Sequence, residues 1–254
     1  MLKGKIAVVT GAGNGIGRAI AERFAAEGVK VAIADINLKA AQETAEKIGP
    51  SSLAIETDVS NRASVRAMVK LSENELGPID ILVNNAGFTE LKPFLELDDD
   101  SWDKHIDVML KGTFLCSQTV LRGMVARNSG KIINISSVSG KCGYSQHEAY
   151  CSAKFGIIGL TQSMAIEFAG NNININAICP GIVWTQLWEK LAPSLAANRN
   201  IPIDQVKTFL MSKIPLGRFC RVEDVAAVAA FLVSSDADYM VGQAINLTGG
   251  TVMQ

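Results

Sequence analysis

The stretch "KIAVVTGAGNGIG" at Lys5–Gly17 decides how the rest of the chain is read. Its first half is a short apolar run of strand type. Its second half carries Gly11, Gly15 and Gly17, with Asn14 and Ile16 between them, where a helix-compatible segment begins. A helix entered this way leaves its first backbone N–H groups unpaired, and its N-terminus carries partial positive charge. A pyrophosphate suits such a place. A glycine triplet alone is equally an ordinary tight turn. Here, however, a second apolar run follows, "KVAIAD", and ends in Asp35, 18 residues after Gly17. That is close to the interval of roughly 20 at which an acid meets the adenosine ribose. The next residue is Ile36 rather than a cation, so nothing beside Asp35 would neutralise a 2′-phosphate. The reading is a dinucleotide site for NAD rather than NADP.

The same rhythm continues outward. Further strand candidates are "SLAIET", "IDILVNN", "KIINIS", "INAICP" and "AINLTG". They are nearly continuously hydrophobic, as parallel strands covered on both faces must be. Helix-like stretches alternate with them, the longest predicted over Trp102–Arg127 and Ala149–Ala169. The pattern predicts an α/β fold, a single doubly wound Rossmann-type domain over 1–254, with a seven-stranded, mainly parallel sheet. The stretch at about 181–215 breaks the rhythm and carries prolines, which reads as a substrate loop.

The chain has 254 residues, 48% hydrophobic and 19% charged, enough for a large core. Its net charge of −1 gives no electrostatic argument for nucleic acid or an anionic membrane. No apolar run is long enough to span a bilayer and no signal-peptide layout opens the chain, so the expected location is cytoplasmic. Five scattered cysteines without C-x-x-C spacing read as buried thiols, with no metal site expected.

Chemistry enters with "AYCSAKFG" at Ala149–Gly156, which sets Tyr150 and Lys154 four residues apart and so on one helix face. A tyrosine titrates near pH ~10 and a neighbouring cation favours its phenolate, as a general acid or base near neutrality requires. An inert surface pair has the same spacing. The motif T-G-x-x-x-G-x-G, "NNAG" at Asn84–Gly87, "ISS" at Ile135–Ser137, "YCSAK" and "PGIVWT" at Pro180–Thr185 occur together and in this order. In this the whole chain resembles the short-chain dehydrogenase/reductase family.

The resemblance implies Ser137, Tyr150 and Lys154 as the catalytic residues. Tyr150 would transfer the proton, Lys154 would lower its pKa and hold the nicotinamide ribose, and Ser137 would bind the reacting oxygen. It further implies Asp58 at the adenine amino group with Val59 beside it, and the Asn85–Gly87 backbone under the adenosine half. Pro180 and Gly181 would lie beside the cofactor, with Val183 and Thr185 holding the carboxamide. The family also implies a homotetramer paired through the two long helices. One position departs from the pattern: Met109 replaces the usual asparagine, thought to hold a relay water. The reading here is that a backbone carbonyl keeps that relay.

For the substrate, the stretches around Tyr150 and the C-terminal tail resemble the family's sugar-alcohol branch, the sorbitol, sorbitol-6-phosphate and 2,3-butanediol dehydrogenases. A polyol, diol or sugar-phosphate substrate follows, oxidised at a secondary alcohol. Lys141, His147, Trp184 and Trp188 are the candidate substrate residues, with Glu90 and Gln146 as further lining. Two alternatives stand beside this: a 3-oxoacyl or other ketone reductase of the family, and a catalytically weak dinucleotide-binding regulatory protein.

Overall fold

The structure is a computed structural model and describes residues 2–254, apart from the side chains at 186, 187 and 190. Among these residues seven strands form one sheet: β1 (Ile6–Thr10), β2 (Lys30–Asp35), β3 (Ser52–Glu56), β4 (Ile81–Asn84), β5 (Gly130–Ile135), β6 (Ile173–Pro180) and β7 (Ala244–Leu247). Their order is β3-β2-β1-β4-β5-β6-β7. Every pairing is parallel, where the sequence had suggested only a mainly parallel sheet.

Alternate strand residues serve opposite layers, because successive side chains leave a strand on opposite faces. Ala7, Val9, Ile33 and Val83 pack with Phe24 and Val225 in one core. Val8, Ala32, Leu82 and Ile132 pack with Met68, Leu115 and Met164 in the other. The helices are α1 (Gly15–Ala26), α2 (Leu38–Ile48), α3 (Arg62–Glu75), α4 (Asp99–His105), α5 (Gly112–Arg127), α6 (Glu148–Phe168), α7 (Gln186–Arg199), α8 (Val206–Met211) and α9 (Val222–Val233). Helices α1 and α9 supply the first core, and α3, α5 and α6 the second. Phe24 is fully buried, worth roughly 1.5–3 kcal/mol of transfer free energy.

Two expectations need correction. The helix predicted over Trp102–Arg127 is interrupted: α4 and α5 are joined by a π-helical stretch, Ile106–Lys111. There the Gly112 N–H reaches back to the Asp107 carbonyl, which inserts an extra residue into the turn and re-aims Met109. The stretch at 181–215 is helical rather than a loop, and folds into α7 and α8 around a small core of Ala192, Ala196 and Val206.

The strand order reverses between β1 and β4, so the crevice at the C-terminal ends of the strands opens there. Thr10 ties this point together. Its hydroxyl accepts from the N–H groups of Asn85 (3.0 Å) and Ala86 (3.1 Å), bridging the end of β1 to the chain leaving β4.

Candidate active site

The glycine turn sits at the reversal. Helices α2, α3 and α4 are each capped by the side chain of the preceding residue, Asn37, Asn61 and Asp98. Helix α1 is not: Asn14 stands at its N-cap without accepting a side-chain bond. Its first N–H groups, on Gly15, Ile16 and Gly17, therefore remain for an anion. A Cβ at Gly17 would lie 2.3 Å from the Gly11 carbonyl oxygen, so only glycine lets the turn close this tightly. Above Gly15 the nearest group is the Thr185 methyl, 3.8 Å from where a Cβ would stand, which makes Thr185 the facing wall. Val183 is buried beside it, bridged to Cys220, and the Gly181 N–H donates to the Leu247 carbonyl.

Asp35 Oδ2 accepts from Gly13 N–H at 2.8 Å and Oδ1 from Asn37 N–H at 2.9 Å, fixing the carboxylate at the turn with lone pairs to spare. Ile36 is 71% exposed and brings no charge there. Asp58 is held by Ser60, and Val59 is buried next to it. Sequence reading overlooked the braces. The Asn85 amide donates to the carbonyls of Thr10 and Gly11, so its side chain, besides the backbone after it, shapes the cradle. Arg18 and Thr44 both donate to the Gly13 carbonyl. Arg18 is thus spent on the loop. An uncapped helix start, a glycine cradle and an acid at the second strand together fit a dinucleotide.

Across the crevice, Ser137 follows β5 and accepts from the Ser139 N–H at 3.1 Å, opening a tight turn over Val138–Gly140. That turn packs against α6 because Gly140 has no Cβ; one would lie 2.5 Å from Ser136 Oγ and 2.7 Å from the Lys154 carbonyl. Ser136 faces away from the crevice and donates to the same carbonyl at 2.9 Å. Lys154 returns the connection, its Nζ donating to the Ile135 carbonyl at 2.8 Å. Tyr150, in the first turn of α6, holds its ring 5.5 Å from that ammonium.

Burial dominates the electrostatics of the pair. Burial pushes the Tyr150 phenol up to about 12, with the Ser137 hydroxyl opposing. Burial also pulls Lys154, only 4% exposed, down to about 8. The Lys154 ammonium, held by the Ile135 carbonyl, stands 5.5 Å from the Tyr150 ring. At neutral pH the pair is a phenol beside an ammonium.

A cavity of about 10 Å³ adjoins Tyr150, lined by Glu90, Lys92, His105, Gln146, His147 and Glu148 among others. Three of the expected substrate-lining residues, Glu90, Gln146 and His147, thus meet beside the tyrosine. The others do not line it. Lys141 ends the turn after Ser137. Trp184 stacks on Trp188 and on Phe219 under the Lys207 ammonium, packed into the α7–α8 core. Gln146 has a positive φ of 65°, unusual for a side-chain-bearing residue. Its carbonyl accepts from Lys92 N–H and its amide oxygen from Asn198 on α7.

A doubly wound sheet with a dinucleotide cradle and a Ser–Tyr–Lys cluster at its open edge defines a nicotinamide-type oxidoreductase. The chain belongs to the short chain dehydrogenase family, whose model matches residues 5–196. It is 42% identical over 253 residues to a sorbitol dehydrogenase of Cereibacter sphaeroides, covering 99% of each chain. It is 39% identical to a galactitol 2-dehydrogenase of Agrobacterium fabrum, again over 99% of each. Among solved structures it is similar to a 3-ketoacyl-(acyl-carrier-protein) reductase of Brucella melitensis complexed with NADH. There the TM-score is 0.91, at 29% identity and with all of each chain covered. No helix among the described residues is long and apolar enough to cross a membrane.

Proposed function

We propose that the chain interconverts a secondary alcohol and a ketone on a polyol or sugar alcohol, using NAD, with Tyr150 as the proton-transfer residue. The observation that carries this is the meeting of Ser137, Tyr150 and Lys154 at the sheet edge that also holds the glycine cradle. When bound, the nicotinamide supplies the hydride acceptor or donor. Ser137 orients the reacting oxygen and Tyr150 exchanges a proton with it. Lys154, anchored on Ile135, keeps α6 in register with β5 and offers its remaining N–H groups to the ribose. The fixed Asp35 carboxylate beside exposed Ile36 supports NAD over NADP. The polar surroundings of Tyr150 and the sorbitol and galactitol dehydrogenase relatives support a polyol.

The reverse reading, a ketone reductase, draws on the protonated state of Tyr150, which is ready to donate to a carbonyl. A weak, regulatory protein would not need the assembled trio. The test is reduction of NAD by the purified enzyme across polyols, their phosphates, diols and 3-hydroxy acids. Turnover confined to 3-hydroxyacyl compounds would overturn the polyol reading.

A further inference from the structure

The Asp35 carboxylate is held at two points that belong to different elements. Oδ2 accepts from the Gly13 N–H, on the glycine turn, at 2.8 Å, and Oδ1 accepts from the Asn37 N–H, at the start of α2, at 2.9 Å. Gly13 permits the first bond because it has no side chain. A Cβ there would lie 2.9 Å from Asp35 Oδ2 and 2.8 Å from the Ala40 Cβ. Two such bonds fix the plane of a carboxylate only while their donors keep their places relative to each other.

Thr44 ties the two donors together. It lies on α2, fully buried, and its hydroxyl donates to the Gly13 carbonyl at 3.1 Å, across 31 residues. A helical threonine ordinarily donates to the carbonyl four residues back, and the Ala40 carbonyl also lies 3.1 Å away. The hydroxyl carries one hydrogen, so the two carbonyls share it. Ordinary back-bonding does not explain a third contact. Arg18 Nε, on α1, donates to the same hydroxyl oxygen at 2.9 Å, while its guanidinium also donates to the Gly13 carbonyl. Asp35, Gly13, Thr44, α2 and Asn37 thus close a ring of bonds, with Arg18 bracing it from α1.

We propose that Thr44 is a positioning residue that sets cofactor specificity: it holds the glycine turn against α2 so that the Asp35 carboxylate cannot rotate away. The preference for NAD over NADP then depends on this brace as well as on Asp35. The proposal rests on Asp35 being the group that reads the ribose. A fixed carboxylate accepts from a ribose hydroxyl with little ordering left to do on binding. It also confronts a 2′-phosphate with like charge. A carboxylate free to swing loses the first advantage and relieves the repulsion that rejects the wrong cofactor. Loss of the brace should therefore weaken NADH more than NADPH.

Fluorescence titrations with NADH and with NADPH test this. Thr44→Val keeps the shape and removes the hydroxyl, and Arg18 still satisfies the Gly13 carbonyl. NADH affinity should fall about fivefold, the scale of one hydrogen bond, with NADPH affinity unchanged or higher, so that the ratio of the two narrows. Thr44→Ser, which keeps the hydroxyl, should hold the wild-type ratio. In an Asp35→Ala background, Thr44→Val should change neither affinity, because no carboxylate remains to be held. Equal losses for NADH and NADPH would reduce Thr44 to a structural residue and overturn the proposal. So would a wild-type ratio in Thr44→Val, or a further loss of similar size in the Asp35→Ala background. Thr44→Ala carries the same readout if Thr44→Val does not fold. An Asp35→Ala chain with the wild-type ratio would instead overturn the reading of Asp35, and the brace with it.

Discussion

Lys154 Nζ donates to the Ile135 carbonyl at 2.8 Å, pinning the helix that carries the tyrosine to the strand that leads into the serine. Lys154→Ala should therefore harm cofactor binding and turnover together. Tyr150→Phe should abolish turnover while leaving NADH affinity nearly intact. Fluorescence titration with NADH, run beside steady-state rates, separates the two.

The same burial has a signature in stability. The folded pKa of Lys154 is lowered from 10.5 to about 8, so between those values the unfolded chain binds more protons than the native one. Stability from this group therefore rises as pH climbs from about 8 to 10.5. Tyr150, raised from 10.0 to about 12, acts in the opposite sense: the native state keeps a proton the unfolded chain has lost, and stability falls across that window. Denaturant midpoints of wild type and Lys154→Met should converge as pH rises from about 8 to 10.5. A gap independent of pH would show that Lys154 is not desolvated as described.

Alcohol oxidation needs the phenolate, so its rate should rise with pH toward the raised tyrosine pKa, while ketone reduction should be flat at neutral pH and decline in strong alkali. An oxidation rate already level by neutral pH would mean that the phenol titrates far lower than its burial dictates.

Cofactor choice should follow Asp35. The wild type should prefer NAD by about tenfold or more, since a 2′-phosphate would face a fixed carboxylate. Asp35→Ala combined with Ile36→Arg should move the preference toward NADP. Gly17→Ala should weaken both cofactors, because its methyl group would collide with the Gly11 carbonyl. Competition titrations would read all three.

Met109→Asn would place an amide in a fully buried, apolar setting, which costs roughly 1–3 kcal/mol if unpaired. The expected outcome is a lower melting temperature with turnover changed only a few-fold. A hundredfold gain in turnover would instead favour a missing relay at this position. For assembly, Phe155 and Ile166 on α6 are exposed in the single chain, Ile166 at 82%. Paired with the expected tetramer, Ile166→Glu should dissociate it, as light scattering would show.

The strands were legible because a strand covered on both faces reads as a short, nearly continuous apolar run, as "KIAVVT" and "KIINIS" do between turn signals. The cradle was legible because helix start, glycines and Asp35 lie within one βαβ unit, so sequence spacing is also spatial spacing. Tyr150 and Lys154 share a helix face for the same local reason. What the sequence could not carry depends on non-local packing. Desolvation sets the charge states of Tyr150 and Lys154, and it depends on neighbours contributed by β5 and the π-helical stretch. Asn85 and Thr44 reach the glycine turn across 74 and 31 residues, and no spacing rule joins them. The meeting of His105 from α4 with Glu148 from α6 beside one tyrosine was likewise decided only when the helices packed, because a cavity belongs to the space between elements and to no single one of them.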